Sequence, residues 1–279
     1  MTPKEAYEYA RKRGPSNKTR VIVCENPEYA YQYAKHVDRC PRDDTLKAAC
    51  EDPRFAYLYA VYIHKKPRKD IRKAVCKDPK WAYFYARDID KCPREDTREA
   101  ACKNSIWAYN YALEVDKCPR DDTREAACKT SRTAYVYAEY VDKKPREDTR
   151  KAVCKSSYMA YLYALNIDRK FNNDTKKAIR EDPKCAYLYA LEIDKKPNEN
   201  TRQIACKNPR WAAFYANKID KKPRKDTREA ACKSPYSAYY YAKFVDKEPK
   251  EETWLAVKNT KYEEKYKKIV HKFMKEEII

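Results

Sequence analysis

Alanine and tyrosine recur along this chain in a fixed order, Ala-Tyr-x-Tyr-Ala, and polar residues fill the stretches between the copies. One copy reads Ala-Ala-Phe-Tyr-Ala, and the ten copies begin at Ala6, Ala30, Ala56, Ala82, Ala108, Ala134, Ala160, Ala186, Ala212 and Ala238. The first step, from Ala6 to Ala30, is slightly shorter than the later steps, which are all equal. A fixed period of about 26 residues indicates a stack of structural repeats rather than a globular enzyme.

The repeat at residues 78–103 predicts a helix that begins with Asp78 as N-cap and Pro79 in the first turn. At 100° per residue one face of this helix is apolar, formed by Ala82, Tyr85, Ala86 and Ile89. The helix is expected to end at Lys91-Cys92-Pro93, because the residue before a proline disfavours the α conformation.

A second, shorter helix is predicted after this proline. It begins either at Pro93 itself or with Asp96 as N-cap, since Glu99 stands three residues later at the spacing of a capping box. Its inward-facing positions are Thr97, Ala100 and Ala101. Small alanines let the two helices of a repeat approach closely.

These patterns predict an all-α fold, an α-solenoid of about ten two-helix repeats, each of about 26 residues, with a C-terminal capping helix. We expect one structural domain with an N-terminal capping repeat at 1–26, a continuous helical array at 27–259 and a capping helix at 260–279. The first helix of the N-terminal repeat should end at Gly14. The apolar residues of the last helix are Tyr262, Tyr266, Ile269, Val270 and Phe273.

The Thr-Arg-x-Ala-x-Cys motif of the second helix, as in residues 148–155, resembles the helix-pair units of leucine-rich-variant and HEAT-type α-solenoids. The Asp-Pro-x-Trp-Ala-Tyr-x-Tyr-Ala motif of the first helix is similar to the motifs of tyrosine-rich repeat arrays in uncharacterised bacteriophage proteins. The second resemblance covers nearly the whole chain, and it implies a repeat fold without any transferable activity. The chain departs from the leucine-rich-variant pattern, because Ala, Tyr and Cys stand where leucine is expected and no CxxC cluster occurs.

Two periodic side chains are predicted to hold the stack together. The second tyrosine of the motif occurs in all ten copies, from Tyr9 to Tyr241, and should form a packing ladder whose hydroxyls bond neighbouring backbone or carboxylates. The first tyrosine of the motif lies nearer the edge of the apolar face, which leaves a base-stacking contact open. An aspartate ends most first helices, as Asp90 does, and is expected to cap the next turn or pair with a basic loop residue.

Composition supports a helical protein of a reducing compartment. The chain has a single glycine, and eight of its twelve cysteines occupy one repeat position. Equivalent sites in neighbouring repeats lie roughly 8–10 Å apart, beyond the Cα separation of about 7 Å that a disulfide tolerates. No apolar run is long enough to span a membrane, and the N-terminus lacks a signal-peptide pattern. We therefore expect a soluble cytoplasmic protein, in the host cytoplasm if it is viral, with no membrane partner.

The sequence offers little for catalysis. Its three histidines, His36, His64 and His271, are far apart, and no CxxC or HExxH spacing predicts a metal site. Acidic pairs such as Glu95-Asp96 recur at the start of the second helices, where they suit the helix dipole, whereas a catalytic pair should be singular. We expect no enzymatic activity, no catalytic residues, no cofactor and no small-molecule substrate.

Charge is the remaining signal, because the net charge is +20 and its distribution is uneven. Residues 53–78 carry eight basic and two acidic side chains, whereas residues 27–52 carry four basic and six acidic ones. In a solenoid the loops between paired helices align on one edge. The basic loop residues predicted to contact a ligand there are Lys65, Lys66, Arg68, Lys69, Lys143, Lys144, Arg146, Lys195, Lys196, Lys221, Lys222, Arg224 and Lys225.

Two partners suit such an edge. The first is nucleic acid, bound through its phosphates by these loops and by a basic N-terminal group of Arg11, Lys12, Arg13, Lys18 and Arg20. The variable position inside the motif is too apolar for a base-reading code, so we expect no strong sequence preference. The alternative is an acidic partner protein, bound by the solenoid acting as a viral accessory factor or inhibitor.

Overall fold

The computed structural model describes residues 1–170, 172–179 and 181–276, with side chains up to Phe273. These residues form helices and short connections, and none of them lies in a β-strand, which confirms the all-α prediction. Among the helices described, none is both long and apolar enough to cross a lipid bilayer.

The chain forms two compact units, Met1–Lys143 and Lys144–Ile279. The α-helices of the first unit are α1 (Pro3–Arg13), α2 (Asn17–Val23), α3 (Pro27–Tyr33), α4 (Asp43–Ala49), α5 (Pro53–Tyr59), α6 (Lys69–Val75), α7 (Pro79–Tyr85), α8 (Glu95–Ala101), α9 (Ser105–Asn110), α10 (Asp121–Ala127) and α11 (Ser131–Tyr137). Those of the second are α12 (Glu147–Val153), α13 (Ser157–Tyr163), α14 (Asn173–Ala178), α15 (Pro183–Tyr189), α16 (Glu199–Ala205), α17 (Pro209–Tyr215), α18 (Lys225–Ala231), α19 (Pro235–Tyr241), α20 (Glu251–Val257) and α21 (Glu263–Glu276).

Odd-numbered and even-numbered helices alternate as the first and second helix of each repeat. Within each unit a first helix contacts the first helix of the next repeat, as α5 contacts α7 and α15 contacts α17. Second helices do the same, as α6 contacts α8 and α18 contacts α20. This stacking of paired helices is an α-solenoid, and the final helix α21 packs on α20.

The first helices begin as the sequence predicts. Asp78 is the N-cap of α7, and its Oδ1 accepts hydrogen bonds from the backbone N–H groups of Lys80 at 2.9 Å and Trp81 at 3.2 Å. Pro79 occupies the first turn, where its missing N–H costs no hydrogen bond. Local sequence alone is enough to define this helix start.

The first helices end before the loop proline, as the sequence predicts, but the last turn of most of them is a π-helical turn instead of a regular α-helical one. In α7 the turn is closed by a hydrogen bond of 2.9 Å from the Lys91 N–H to the Ala86 carbonyl, five residues back. The π-helical turns are Ala34–Asp38, Ala60–His64, Ala86–Asp90, Tyr111–Asp116 and Ala138–Asp142 in the first unit, and Ala164–Asp168, Ala190–Asp194, Ala216–Asp220 and Ala242–Asp246 in the second.

A basic residue in the left-handed conformation follows each π-helical turn. The backbone φ of these residues is 52° to 59°, and they are Arg39, Lys65, Lys91, Lys117, Lys143, Arg169, Lys195, Lys221 and Lys247. Glycine is the usual residue in this conformation at a helix end. A lysine or arginine there instead brings a positive charge to the negative end of the helix dipole.

The cysteines that share a repeat position cap the C-termini of the second helices. Burial raises the pKa of these thiols, to about 11 for Cys50 and to about 12 for Cys76. Cys40 and Cys118, in the interhelix loops, are exposed. All twelve cysteines are free thiols.

We predict that alkylation by iodoacetamide at pH 9 separates these two groups of cysteines. A thiol with a pKa near 11 is about one per cent ionised at this pH, and the thiolate is the reactive form. Cys40 and Cys118 should therefore react at least about tenfold faster than Cys50 and Cys76, as measured by mass spectrometry of peptides over time. Unfolding the protein in guanidinium chloride should make the alkylation rates of the two groups equal. Equal rates in the folded protein would contradict the burial of the capping thiols.

Candidate nucleic-acid interface

The second tyrosine of the motif has a structural role, since it packs between repeats and bonds the preceding one. Tyr111 is fully buried, and its hydroxyl accepts a hydrogen bond of 3.0 Å from the Arg94 N–H in the preceding repeat. The same hydroxyl lies 2.8 Å from Thr97 Oγ1 and donates to the Arg94 carbonyl at 3.1 Å. Arg94, and not the predicted Asp96, is the N-cap of α8, so a side chain from the next repeat bonds the start of this helix. Asp96 Oδ1 still accepts a hydrogen bond of 2.8 Å from the Thr97 N–H in the first turn. The packing ladder is therefore confirmed.

The two ends of this ladder differ from the prediction. Tyr9, in the first copy of the motif, is 50% exposed, whereas the equivalent tyrosines of the later copies are buried. At the other end the ladder continues one step beyond the motif, since Tyr266 in α21 is fully buried and bonds Lys250 and Thr253 in the same way.

The aspartate that ends the first helix also has a structural partner. Asp90 is bound by Arg72, 18 residues earlier in α6, through two hydrogen bonds of 2.7 and 2.8 Å. The loop arginine Arg94, which the sequence suggested as a partner, lies farther away at 3.6 Å. Equivalent pairs recur along the chain as Arg20–Asp38, Arg98–Asp116, Arg124–Asp142, Arg150–Asp168, Lys176–Asp194, Arg202–Asp220 and Arg228–Asp246.

One repeat replaces both members of the pair at once. Leu46 stands where the arginine is expected, and His64 stands where the aspartate is expected, at the same spacing along the chain. Leu46 is buried, and His64 Nε2 lies 3.2 Å from Arg68 Nη1. An unpaired carboxylate at this buried position would be costly, so the two changes are physically linked.

The predicted binding lysines lie in the loops that follow the π-helical turns. Lys65, Lys66 and Lys69 are exposed in the first unit. The next loop on either side of Lys65 and Lys66 carries one basic residue and a cysteine, Arg39-Cys40 or Lys91-Cys92. Lys143, also exposed, closes the first unit, and the exposed Lys144 opens the second.

In the second unit the structure brings Lys195 and Lys196 beside Lys221 and Lys222. The π-helical turns that precede these loops contact one another, so successive loops lie on the same edge. All four side chains are exposed, and none forms an ion pair with a described carboxylate. These exposed residues, together with others in the same register, form what we call the basic edge, which comprises Arg169, Lys170, Lys195, Lys196, Lys221, Lys222 and Lys247.

Sequence reasoning missed three members of the basic edge. Arg169 and Lys170 are not followed by the usual proline, so they do not match the Lys-Lys-Pro pattern of the other basic loops. The repeat register was the signal that identifies them, since Arg169 stands midway between Lys143 and Lys195, one repeat from each. Lys247 follows Lys221 at the same spacing.

The predicted arginines after the loop prolines are held by carboxylates of their own chain. Arg68 binds Asp70 at 2.7 Å, Arg146 lies 3.4 Å from Asp148, and Arg224 lies 3.5 Å from Asp220. Lys225 is exposed and 3.9 Å from Glu229. The three arginines are therefore poorer candidates for a ligand contact than the lysines before the proline.

The basic N-terminal group requires one correction. Arg20 is only 6% exposed and binds Asp38 at 2.8 Å, so it belongs to the buried ion pairs. Arg11, Lys12, Arg13 and Lys18 are exposed.

The first tyrosine of the motif joins an aromatic row in each unit. In the second unit ring centroids lie 5.5 Å apart from Tyr187 to Trp211, 5.7 Å from Trp211 to Phe214, 5.0 Å from Phe214 to Tyr240 and 4.7 Å from Tyr240 to Phe244. Most of these rings are half-buried, and Phe244 is 43% exposed. The variable position of the motif supplies two rings of this row, Phe214 and Tyr240. The sequence did not predict their place in the row, because most other copies of the motif carry polar or aliphatic residues at this position.

Three or more metal-ligating side chains do not come together anywhere in the described part of the chain. Comparison with models of protein families, with curated proteins and with solved structures finds no match to this chain. The repeated helical array with its fixed period is thus established by the sequence and the fold themselves.

Proposed function

We propose that this protein is a non-enzymatic scaffold that binds the phosphate backbone of nucleic acid, without strong sequence preference, through the basic edge. The observation that carries the proposal is the run of exposed lysines from Lys195 to Lys222, which have no carboxylate partner in the described chain. The periodic carboxylates of the first helices, such as Asp90, are engaged by basic side chains of the preceding repeat, which supports a non-enzymatic role.

The spacing of the basic edge suits a regular polyanion. Neighbouring helices pack about 8–10 Å apart, so the two basic residues of each repeat from Arg169 to Lys222 correspond to one positive charge for about every 5 Å of the edge. Lysines bind phosphates as point charges and release condensed counterions, which requires no contact with bases. Cationic side chains on one face of a chain with a net charge of +20 also speed the encounter with a polyanion.

The cellular compartment, the similarity to other repeat proteins and a second candidate partner are further parts of this proposal. Twelve free thiols suit a reducing compartment such as the cytoplasm. The similarity to tyrosine-rich arrays of bacteriophage proteins and to leucine-rich-variant or HEAT-type solenoids stays a prediction. An acidic protein is the second candidate partner, because it would use the same lysines.

The proposal is tested by measuring nucleic-acid affinity over a range of salt concentrations. Fluorescence anisotropy would compare random-sequence RNA, single-stranded DNA and duplex DNA with the wild type and with a K195E/K196E/K221E/K222E variant. Each phosphate contact on a single strand contributes about 0.7 to the slope of log affinity against log salt, so the variant should lose about 3 from this slope.

The matched control is a K155E/K184E/K207E/K233E variant, which makes the same charge change at four exposed lysines of the second unit. Lys184 lies at the opposite end of its first helix from Lys195, about 16 Å away along the axis at about 1.5 Å per residue. This control should keep most of the wild-type slope. Absence of binding at low salt, or equal losses in both variants, would contradict the proposal.

A further inference from the structure

The second unit contains a groove between its last repeat and the capping helix α21. Its volume is about 680 Å³, within the range of about 300–1,000 Å³ of typical ligand sites. One wall is formed by Tyr239, Lys243, Phe244 and Lys247, and α21 supplies Lys265 and Lys268 to the other. Every charged residue that lines the groove, among the side chains described, is a lysine.

The groove combines positive charge with exposed ring faces. Lys243 Nζ lies 5.0 Å from the ring centroid of Phe244 and 6.0 Å from that of Tyr239. Tyr239 itself stacks on Tyr262 of the capping segment at 5.9 Å, which fixes its orientation. An acidic peptide would satisfy the lysines and leave the rings unused, whereas a nucleotide offers a phosphate and a planar base together.

The groove also continues two features described above. Lys247 belongs to the basic edge, and its π-helical turn contacts that of Lys221. Phe244 is the last ring of the aromatic row that begins at Tyr187. A strand whose phosphates follow the basic edge would therefore reach the groove at the end of the unit.

We propose that this groove binds nucleotides of a single-stranded nucleic acid, with a base against Phe244 and Tyr239 and phosphates on Lys243, Lys247 and Lys268. The proposal rests on the proposed function and adds to it a preference for single strands. Bases stack on aromatic side chains without regard to sequence, whereas the paired bases inside a duplex are already stacked and inaccessible to these rings.

The test uses the full chain and a short fluorescent oligothymidylate, with an abasic oligonucleotide of equal length and poly-glutamate as further probes. Phe244→Ala should weaken oligothymidylate binding about tenfold or more and leave abasic binding unchanged, because only the stacking contact is lost. Phe244→Trp should retain binding. K243E/K268E should weaken binding of both oligonucleotides.

Tyr158→Ala is the matched control, since Tyr158 is 48% exposed in the same unit but lies outside the groove, and it should bind as the wild type does. Circular dichroism would verify that each variant is folded. Unchanged oligothymidylate affinity in Phe244→Ala, or equally tight binding of poly-glutamate, would overturn the groove proposal. If only the K195E/K196E/K221E/K222E variant lost binding, the proposed function would stand without the groove; if no oligonucleotide bound at low salt, both would fail.

Discussion

Replacing Arg72 with leucine should lower the free energy of unfolding by about 3–5 kcal/mol, because the change leaves a buried carboxylate without its partner. The Asp90 side chain is completely buried, and Arg72 supplies its two short hydrogen bonds. The remaining cation, Arg94, lies 3.6 Å away with half of its side chain in solvent. Urea unfolding followed by circular dichroism would measure the loss.

The repeat with Leu46 and His64 suggests how the loss can be recovered. Adding Asp90→His to Arg72→Leu reproduces that natural combination, with Arg94 four residues after the histidine as Arg68 is after His64. The double variant should be clearly more stable than Arg72→Leu alone. If both were equally unstable, the buried unpaired charge would not be the cause of the loss.

The second unit offers an internal comparison. Arg202 is 3.7 Å from Asp220 and donates a hydrogen bond of 2.8 Å to the exposed Asp226 instead. Burial raises the pKa of Asp220, and Arg224 lies 3.5 Å from it on the other side. Arg202→Leu should therefore cost less than Arg72→Leu.

Truncating Tyr111 to alanine should be about as damaging, with a loss of about 3–5 kcal/mol in the free energy of unfolding. The change empties a fully buried aromatic site between two repeats and removes the hydroxyl that caps α8. Tyr111→Phe, which removes only the hydroxyl, should cost about 1–3 kcal/mol because the Arg94 N–H then loses its partner. Urea denaturation would separate the two contributions.

Tyr9 provides the control for this prediction at the same position of the motif. Its side chain is half exposed. Tyr9→Ala should change the free energy of unfolding by no more than about 0.5 kcal/mol. A neutral Tyr111→Phe, or a large effect at Tyr9, would show that the hydroxyl cap does not hold the repeats together.

Much of the architecture followed from local sequence because each repeat carries its own signals. Asp78, Pro79 and the apolar positions from Ala82 onward identify a helix, its start and its buried face. The inward-facing Thr97, Ala100 and Ala101 of the second helix are likewise buried as predicted. The fixed period of the motif extends these local predictions to the chain as a whole.

The geometry of the last turn of the first helix could not be inferred in the same way. A wheel of 3.6 residues per turn assumes regular α-helix, whereas the hydrogen bond from Lys91 to Ala86 closes a wider turn. Asp90 also meets Arg72 of the preceding repeat in addition to its own loop, a contact between residues 18 positions apart. Nothing local in the sequence marks Arg72 as its partner.

The candidate site was likewise predictable from the sequence only in part. The sequence was sufficient to establish a helical repeat array with a net charge of +20 and basic interhelix loops, since spacing and composition are properties of the chain alone. Tertiary contacts were needed to separate arginines engaged by carboxylates, such as Arg20 and Arg68, from exposed lysines such as Lys195 and Lys221. The physical reason is that a charge is available to a ligand only where the fold leaves it solvated and unpaired, and side chains from other repeats determine both conditions.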